Sequence, residues 1–121
     1  MRQIDKKFID LAEKIATASS CKYKHGAILV RDKEILSVGV NRMLGFDPVL
    51  TRYGLFYSLH AEMDALRKVR NLPQNTTLYI TRNKFRHSAP CPDCWKIIHS
   101  IKEIGRVVFS GFTGEITEVK Q

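Results

Sequence analysis

Apolar residues recur along the chain with two different periods, and the changes of period divide it into elements. In residues 3–18, QIDKKFIDLAEKIATA, the positions Phe8, Leu11, Ala12 and Ile15 fall at i, i+3, i+4 and i+7. That spacing draws one apolar stripe along a helix and predicts an amphipathic α-helix that buries it. The runs GAILV (26–30) and ILSVGV (35–40) are short, rich in β-branched residues and separated by RDKE, which predicts a β-hairpin. Residues 41–59 read as a loop broken by Gly45, Pro48 and Gly54. A second helix is expected over about 60–70, HAEMDALRKVR, with Ala61, Ala65, Leu66 and Val69 on one face. After Pro73, Gln74 and Asn75, TLYIT (77–81) reads as a strand and RNKFRHSA (82–89) as a polar, basic loop. A third helix is expected over about 90–103, with Ile97, Ile98 and Ile101 facing inward and Gly105 as its stop. RVVFS (106–110) is a strand, and EITEVK (115–120) is a candidate for one more.

The resulting order is α-β-β-α-β-α-β with room for a final strand. It predicts an α/β sandwich: a mixed sheet of four to five strands with an N-terminal hairpin and helices on both faces. At 121 residues, with no internal repeat, positions 1–121 are expected to form one domain. The composition, 44% hydrophobic and 26% charged, is that of a soluble globular protein. No stretch approaches the roughly 20 apolar residues of a membrane span, so no membrane partner is expected. The N-terminus, MRQIDKKFIDLAEK, lacks the apolar region of a signal peptide, which predicts a cytoplasmic location with reduced thiols. Three cysteines are too few for a disulfide framework. The net charge of +8 favours an anionic partner such as a nucleotide phosphate or a nucleic acid.

Candidate chemistry gathers at two helix starts. His60-Ala61-Glu62 opens the second helix, and Pro90-Cys91-Pro92-Asp93-Cys94 opens the third. A C-x-x-C pair alone has several meanings. It can be a redox dithiol, or half of a structural zinc site closed by a fourth ligand from among Cys21, His25, His87 and His99. It can also join His60 in an open site, where three protein ligands leave a position for water. A redox dithiol has no use for the upstream histidine, which favours metal. Helix N-termini suit thiolates, because their free N–H groups and positive dipole end attract anions. Glu62 need not bind the metal and can move protons beside it.

This H-x-E…P-C-x-x-C pattern is the signature of the zinc deaminases that act on nucleobases, and the sequence resembles the cytidine/deoxycytidylate deaminase superfamily. Besides the two motifs, HGAILVRDKEILSVGVNR, TLYIT and IHSIKEIGRVVFSG are similar to that family, from Leu11 to about Gly111. The resemblance implies a three-layer cytidine deaminase-like sandwich holding one Zn²⁺ on His60, Cys91 and Cys94, with Glu62 as the catalytic proton carrier. It implies substrate contacts from Asn41 and from the backbone N–H of Ala61, and a homo-oligomer. The implied activity is hydrolytic deamination, with cytosine to uracil in a (deoxy)cytidine nucleotide or nucleoside as the expected reaction. One alternative is deamination of cytosine or adenine within single-stranded DNA or RNA, including tRNA. Another is a non-catalytic, zinc-stabilised nucleic-acid-binding module.

Two departures from the family bear on the substrate. The family joins its third strand to the Pro-Cys motif by a residue or two, whereas here RNKFRHSA intervenes. Its basic residues with Phe85 among them suit a phosphate-bearing substrate or a single strand, which makes Arg86 and His87 candidate contacts; a solvated loop is the alternative. Tyr57, near Tyr53 and Phe56, is a candidate to stack on a base or to anchor its loop. The second departure is the C-terminus. Only 10 residues follow Gly111, too few for the crossover of about a dozen that a parallel fifth strand needs. EITEVK must therefore return as an antiparallel hairpin, as in the free-nucleoside cytidine deaminases, or leave that strand missing.

Overall fold

The computed structural model describes residues 3–43, 58–82, 88–111 and 115–121. Its elements are α1 (Gln3–Ala16), β1 (His25–Arg31), β2 (Glu34–Val40), β3 (Arg42–Met43), β4 (Ser58–Leu59), α2 (Ala61–Leu66), β5 (Thr76–Arg82), α3 (Pro92–Ser100), β6 (Ile104–Ser110) and β7 (Ile116–Lys120). Five strands form one mixed sheet in the order β2-β1-β5-β6-β7. β1 pairs antiparallel with β2 and with β5, β5 runs parallel to β6, and β7 returns antiparallel to β6. The short β3 and β4 pair with each other.

The sheet is buried on both sides, and its strands show why. Ala27 and Leu29 of β1, Leu78 and Ile80 of β5, and Val107 and Phe109 of β6 face one core, which also contains Ala61 and Ala65 of α2 and Cys94 and Ile98 of α3. The alternate residues Ile28, Val30, Tyr79 and Val108 face a second core against Phe8, Ile9 and Ala12 of α1. Strand side chains point to opposite faces in turn, so strands covered on both sides become near-continuous apolar runs. This is the three-layer sandwich expected from the sequence. The β1–β2 hairpin closes through Asp32 and Lys33, both at positive φ (50° and 67°), the two-residue turn whose twist matches that of its strands.

Two glycines let the helices press onto the sheet. A Cβ on Gly26 would lie 2.2 Å from the Ala12 carbonyl oxygen of α1, and one on Gly39 would lie 2.4 Å from both the Ala61 oxygen and the Ala65 nitrogen of α2. Backbone cannot yield there. Gly39→Ala is expected to cost about 3 kcal/mol or more, the upper end for overpacking a core, and to push the start of α2 off the sheet. A denaturant titration measures the loss.

Several sequence expectations change in detail, and the second helix, expected to about residue 70, ends at Leu66. α3 is shorter than expected and ends at Ser100, because the extended backbone of the next residue, Ile101 (φ −98°, ψ 94°), cannot continue a helix. Gly105 consequently lies inside β6 rather than stopping the helix. Ile97 is exposed, because the inward stripe of so short a helix is taken by Cys94 and Ile98. The C-terminal segment forms the antiparallel fifth strand. Arg106 fastens it by bonding Glu118 Oε1 of β7 at 2.9 Å and the buried Asp5 Oδ2 of α1 at 2.6 Å. Among the described residues, no helix is long and apolar enough to cross a membrane.

Candidate active site

The ends of the two inner helices are capped by unusual residues. The N-cap of α2 is His60, whose extended backbone (φ −73°, ψ 152°) leaves its side chain free of any capping bond. Its carbonyl accepts the Asp64 N–H at 2.9 Å. The N-cap of α3 is Cys91, whose Sγ accepts the Cys94 N–H at 3.4 Å where a hydroxyl or carboxylate usually serves. Pro92 occupies the first turn, where a missing N–H costs nothing. The fold brings these starts together. His60 Nδ1 lies 3.1 Å from Cys94 Sγ and 3.5 Å from Cys91 Sγ.

The donor set fits a tetrahedral zinc. At the usual Zn–N and Zn–S lengths, a tetrahedral ion separates N from S by about 3.6 Å and S from S by about 3.8 Å. The three ligand atoms here lie within 4.8 Å of one another. Their electrostatics point the same way. Burial pushes the Cys94 thiol up, and the neighbouring Glu62 and Cys91 add to it. Burial also raises Glu62, more than its backbone hydrogen bond and the nearby His60 lower it. A dication reverses that imbalance, stabilising thiolate and carboxylate together. Among the described residues, no other group of His, Cys, Asp and Glu side chains is close enough to hold a metal.

Among the described residues, the other candidate ligands Cys21, His25 and His99 do not join this trio. Cys21 Sγ contacts the Asn41 carbonyl oxygen at 3.6 Å, and His99 stacks on Trp95 with ring centroids 4.8 Å apart. Trp95 in turn meets Phe109 edge-on at 6.3 Å, in keeping with a packing role. Tyr57, Arg86 and His87 lie outside the described residues, as do Tyr53 and Phe56.

Beside the trio lies a cavity of about 440 Å³ whose lining includes His60, Ala61, Glu62 and Cys91 on the helix side and His25 and Asn41 on the sheet side. That volume is within the range of small-molecule sites. Ala61 is fully buried and opens α2, so its N–H belongs to the first turn, whose donors lack intrahelical acceptors. Asn41 braces the wall: its Oδ1 accepts the His25 N–H at 2.9 Å, and its Nδ2 donates to the Tyr23 oxygen at 2.6 Å. Tyr23 is exposed at the rim, with the Arg82 guanidinium 4.4 Å from its ring centroid and Lys22 Nζ at 5.5 Å. Burial, then Arg82 and His60, push the pKa of His25 down to about 4, so its imidazole is neutral at pH 7.

One residue that holds the site together escapes a sequence reading. Asp64 is fully buried and accepts from the Val40 N–H at 3.0 Å, Arg67 at 2.7 Å, Arg42 at 3.2 Å and Lys68 at 3.3 Å. Val40 and Arg42 flank Asn41, so this carboxylate ties the Asn41 segment to the helix that bears Glu62. Its signal in the sequence is a carboxylate with basic residues three and four positions later, a pattern that usually marks an exposed face. Burial raises its pKa, but the Val40 N–H and the Arg67, Lys68 and Arg42 cations outweigh that and bring it to about 2 from 3.8. A depressed pKa stabilises the fold above the unfolded value and loses that contribution as pH falls through the folded one. Metal-free protein is therefore expected to lose about 2 kcal/mol between pH 4 and pH 2 that Asp64→Asn does not lose over the same range. Urea titrations at the two pH values measure the difference.

The comparisons with known proteins agree with this geometry. Residues 2–111 match the family described as the cytidine and deoxycytidylate deaminase zinc-binding region. No curated protein matches the sequence. The dCMP deaminase of cyanophage S-TIM5 in apo form is 28% identical over 93% of this chain and 87% of its own, with a TM-score of 0.68. The same enzyme in complex with dCMP and dUMP is 28% identical over 90% of this chain and 82% of its own, at 0.67. The cytidine deaminase of Burkholderia pseudomallei shares the fold at 20% identity, covering 99% of this chain and 93% of its own, with a TM-score of 0.72.

Proposed function

The chain belongs to the cytidine and deoxycytidylate deaminase family, and we propose that it converts cytosine to uracil in a (deoxy)cytidine nucleotide or nucleoside. The observation that carries this reading is the buried Glu62 carboxyl beside the His60–Cys91–Cys94 trio, on the wall of a nucleoside-sized cavity.

His60, Cys91 and Cys94 would hold Zn²⁺. When bound, it supplies the Lewis acidity that lets water lose a proton near neutral pH. Glu62 accepts that proton and passes it to the ring nitrogen next to the reacting carbon. The water oxygen bonds to C4, the C4–N bond breaks, and the amine leaves as ammonia after taking a proton by way of Glu62. Water and cytosine are thereby converted to uracil and ammonia. Burial raises the pKa of Glu62, the direction that helps a carboxyl take up a proton as well as give one back. The Ala61 N–H and Asn41 suit contacts that orient the base and sugar.

The likeness to a dCMP deaminase crystallised with dCMP and dUMP favours a nucleotide over a polymer. A second reading, the same chemistry on a base in single-stranded DNA or RNA, draws support from the exposed Tyr23 with Arg82 and Lys22 against it, since aromatic and cationic rims hold single strands. Comparing kcat/KM on dCMP, cytidine, a single-stranded oligonucleotide and tRNA separates the two; the proposal expects dCMP or cytidine to lead. Lys84→Ala with Arg86→Ala is expected to weaken dCMP about tenfold and spare cytidine, as loss of a charged phosphate contact does. Equal losses on both would remove the basic segment from phosphate binding.

A further inference from the structure

One polar side chain in the cavity has no part in the chemistry described so far. β1 begins at His25, and the alternation along the strand puts His25 on the same face as Ala27 and Leu29, toward α2 and α3. Gly26 faces α1 instead, as its contact with Ala12 shows. Arg82 lies opposite His25 on β5 and shares its face. The His25 side chain thus emerges at the end of the sheet, past the last core layer, where it lines the cavity.

Its backbone is fixed from both sides. The His25 N–H donates to Asn41 Oδ1 at 2.9 Å, and the His25 oxygen accepts the Asn41 N–H at 3.4 Å. Its imidazole, by contrast, makes no hydrogen bond with any described residue. A rigidly mounted, half-buried ring that faces a cavity with no bond to any described residue is placed to bond a ligand. We propose that His25 is a specificity residue that hydrogen-bonds a ring hydroxyl of the substrate's sugar.

The identity of that ligand rests on the deaminase reading above. The reacting edge of the base must meet Glu62 on the helix side, which leaves the sugar for the sheet side, where His25 and Asn41 stand. A neutral imidazole offers one donor and one acceptor, which matches a hydroxyl. A phosphate would instead find the cations Arg82 and Lys22 at the rim. Asn41 cannot cover the sugar alone, because its Oδ1 and one amide hydrogen are already engaged. A site built to bond a hydroxyl rejects an analogue that lacks it, since the site's own group is then left unpaired.

The test uses product ligands, which bind without being consumed. Uridine, deoxyuridine and 2′,3′-dideoxyuridine are titrated calorimetrically into the zinc-loaded wild-type protein. The better of the two hydroxylated ligands is expected to bind about tenfold more tightly than the dideoxy analogue. His25→Ala, and His25→Phe of similar volume, are expected to bring that ratio to about 1 by weakening the hydroxylated ligand alone. His25→Gln, which keeps a donor and an acceptor, is expected to retain most of it. A wild type that does not discriminate, a ratio unchanged in both the Ala and Phe variants, or equal weakening of all three ligands overturns the proposal. Discrimination that depends on His25 in a protein that turns over no substrate would sink the deaminase reading while leaving His25 as the sugar contact.

Discussion

Glu62→Gln is expected to lower deamination about 10³-fold or more while leaving the metal and the fold in place. The substitution keeps the shape of the side chain and removes only its ability to take up and release a proton. General acid–base catalysis by a positioned group is worth about 10²–10⁴, and here one carboxyl serves both the ring nitrogen and the leaving amine. Glu62 is 4% exposed, and burial opposes its ionisation. A neutral amide therefore costs the fold little, and the melting temperature is expected to hold or rise slightly. Zinc content, measured by atomic absorption, is expected to match that of the wild type because Glu62 lies outside the His60–Cys91–Cys94 trio. The same variant separates the two classes of function. A zinc-stabilised nucleic-acid-binding module would bind its partner equally well with or without the substitution, since no proton moves; a deaminase falls silent.

The second large effect is expected from Cys94→Ser, or from a strong chelator. Cys94 Sγ lies 3.1 Å from His60 Nδ1 and is 4% exposed, so a serine there leaves a weak ligand in a buried place. Metal content and turnover are expected to fall to background together. The fold is expected to survive, unlike that of a small zinc finger, because both faces of the sheet have apolar cores that do not depend on the ion. A ligand present at about 1,000 times its Kd contributes about 4 kcal/mol. Its loss from a chain of this size lowers Tm by roughly 10–20 °C. Thermal scans with and without chelator measure it. An unchanged Tm would mean that the trio holds no metal in the folded protein.

Much of this architecture is legible in the sequence because its physics is local. Strands covered on both faces must read as continuous apolar runs, and GAILV, TLYIT and RVVFS do. For the last segment the sequence leaves an antiparallel hairpin or a missing strand open, and the pairing of Val107 with Val119 decides for the hairpin. The motifs stand out because His60 and Cys91 occupy helix N-caps, where the residue type is restricted. What is not legible depends on partners far apart in the chain. A charged residue on a helix reads as solvated, and the burial of Asp64 follows only from its bond to the Val40 N–H and from Arg42, which arrives from a segment read as loop. His25 can be weighed as a metal ligand but not as a cavity wall, because its role rests on which face β1 turns to α2. Ile97 and Gly105 are misplaced for a simpler reason. The periodicity of an apolar run does not show where a helix stops, and α3 stops at Ser100.

The most direct test of the central claim is release of ammonia from dCMP and cytidine by the wild-type protein loaded with one equivalent of zinc. The account predicts ammonia and the matching uracil product in equal amounts from at least one of them, with none above background after chelation. Product from neither substrate, with zinc bound and the protein folded, would contradict it.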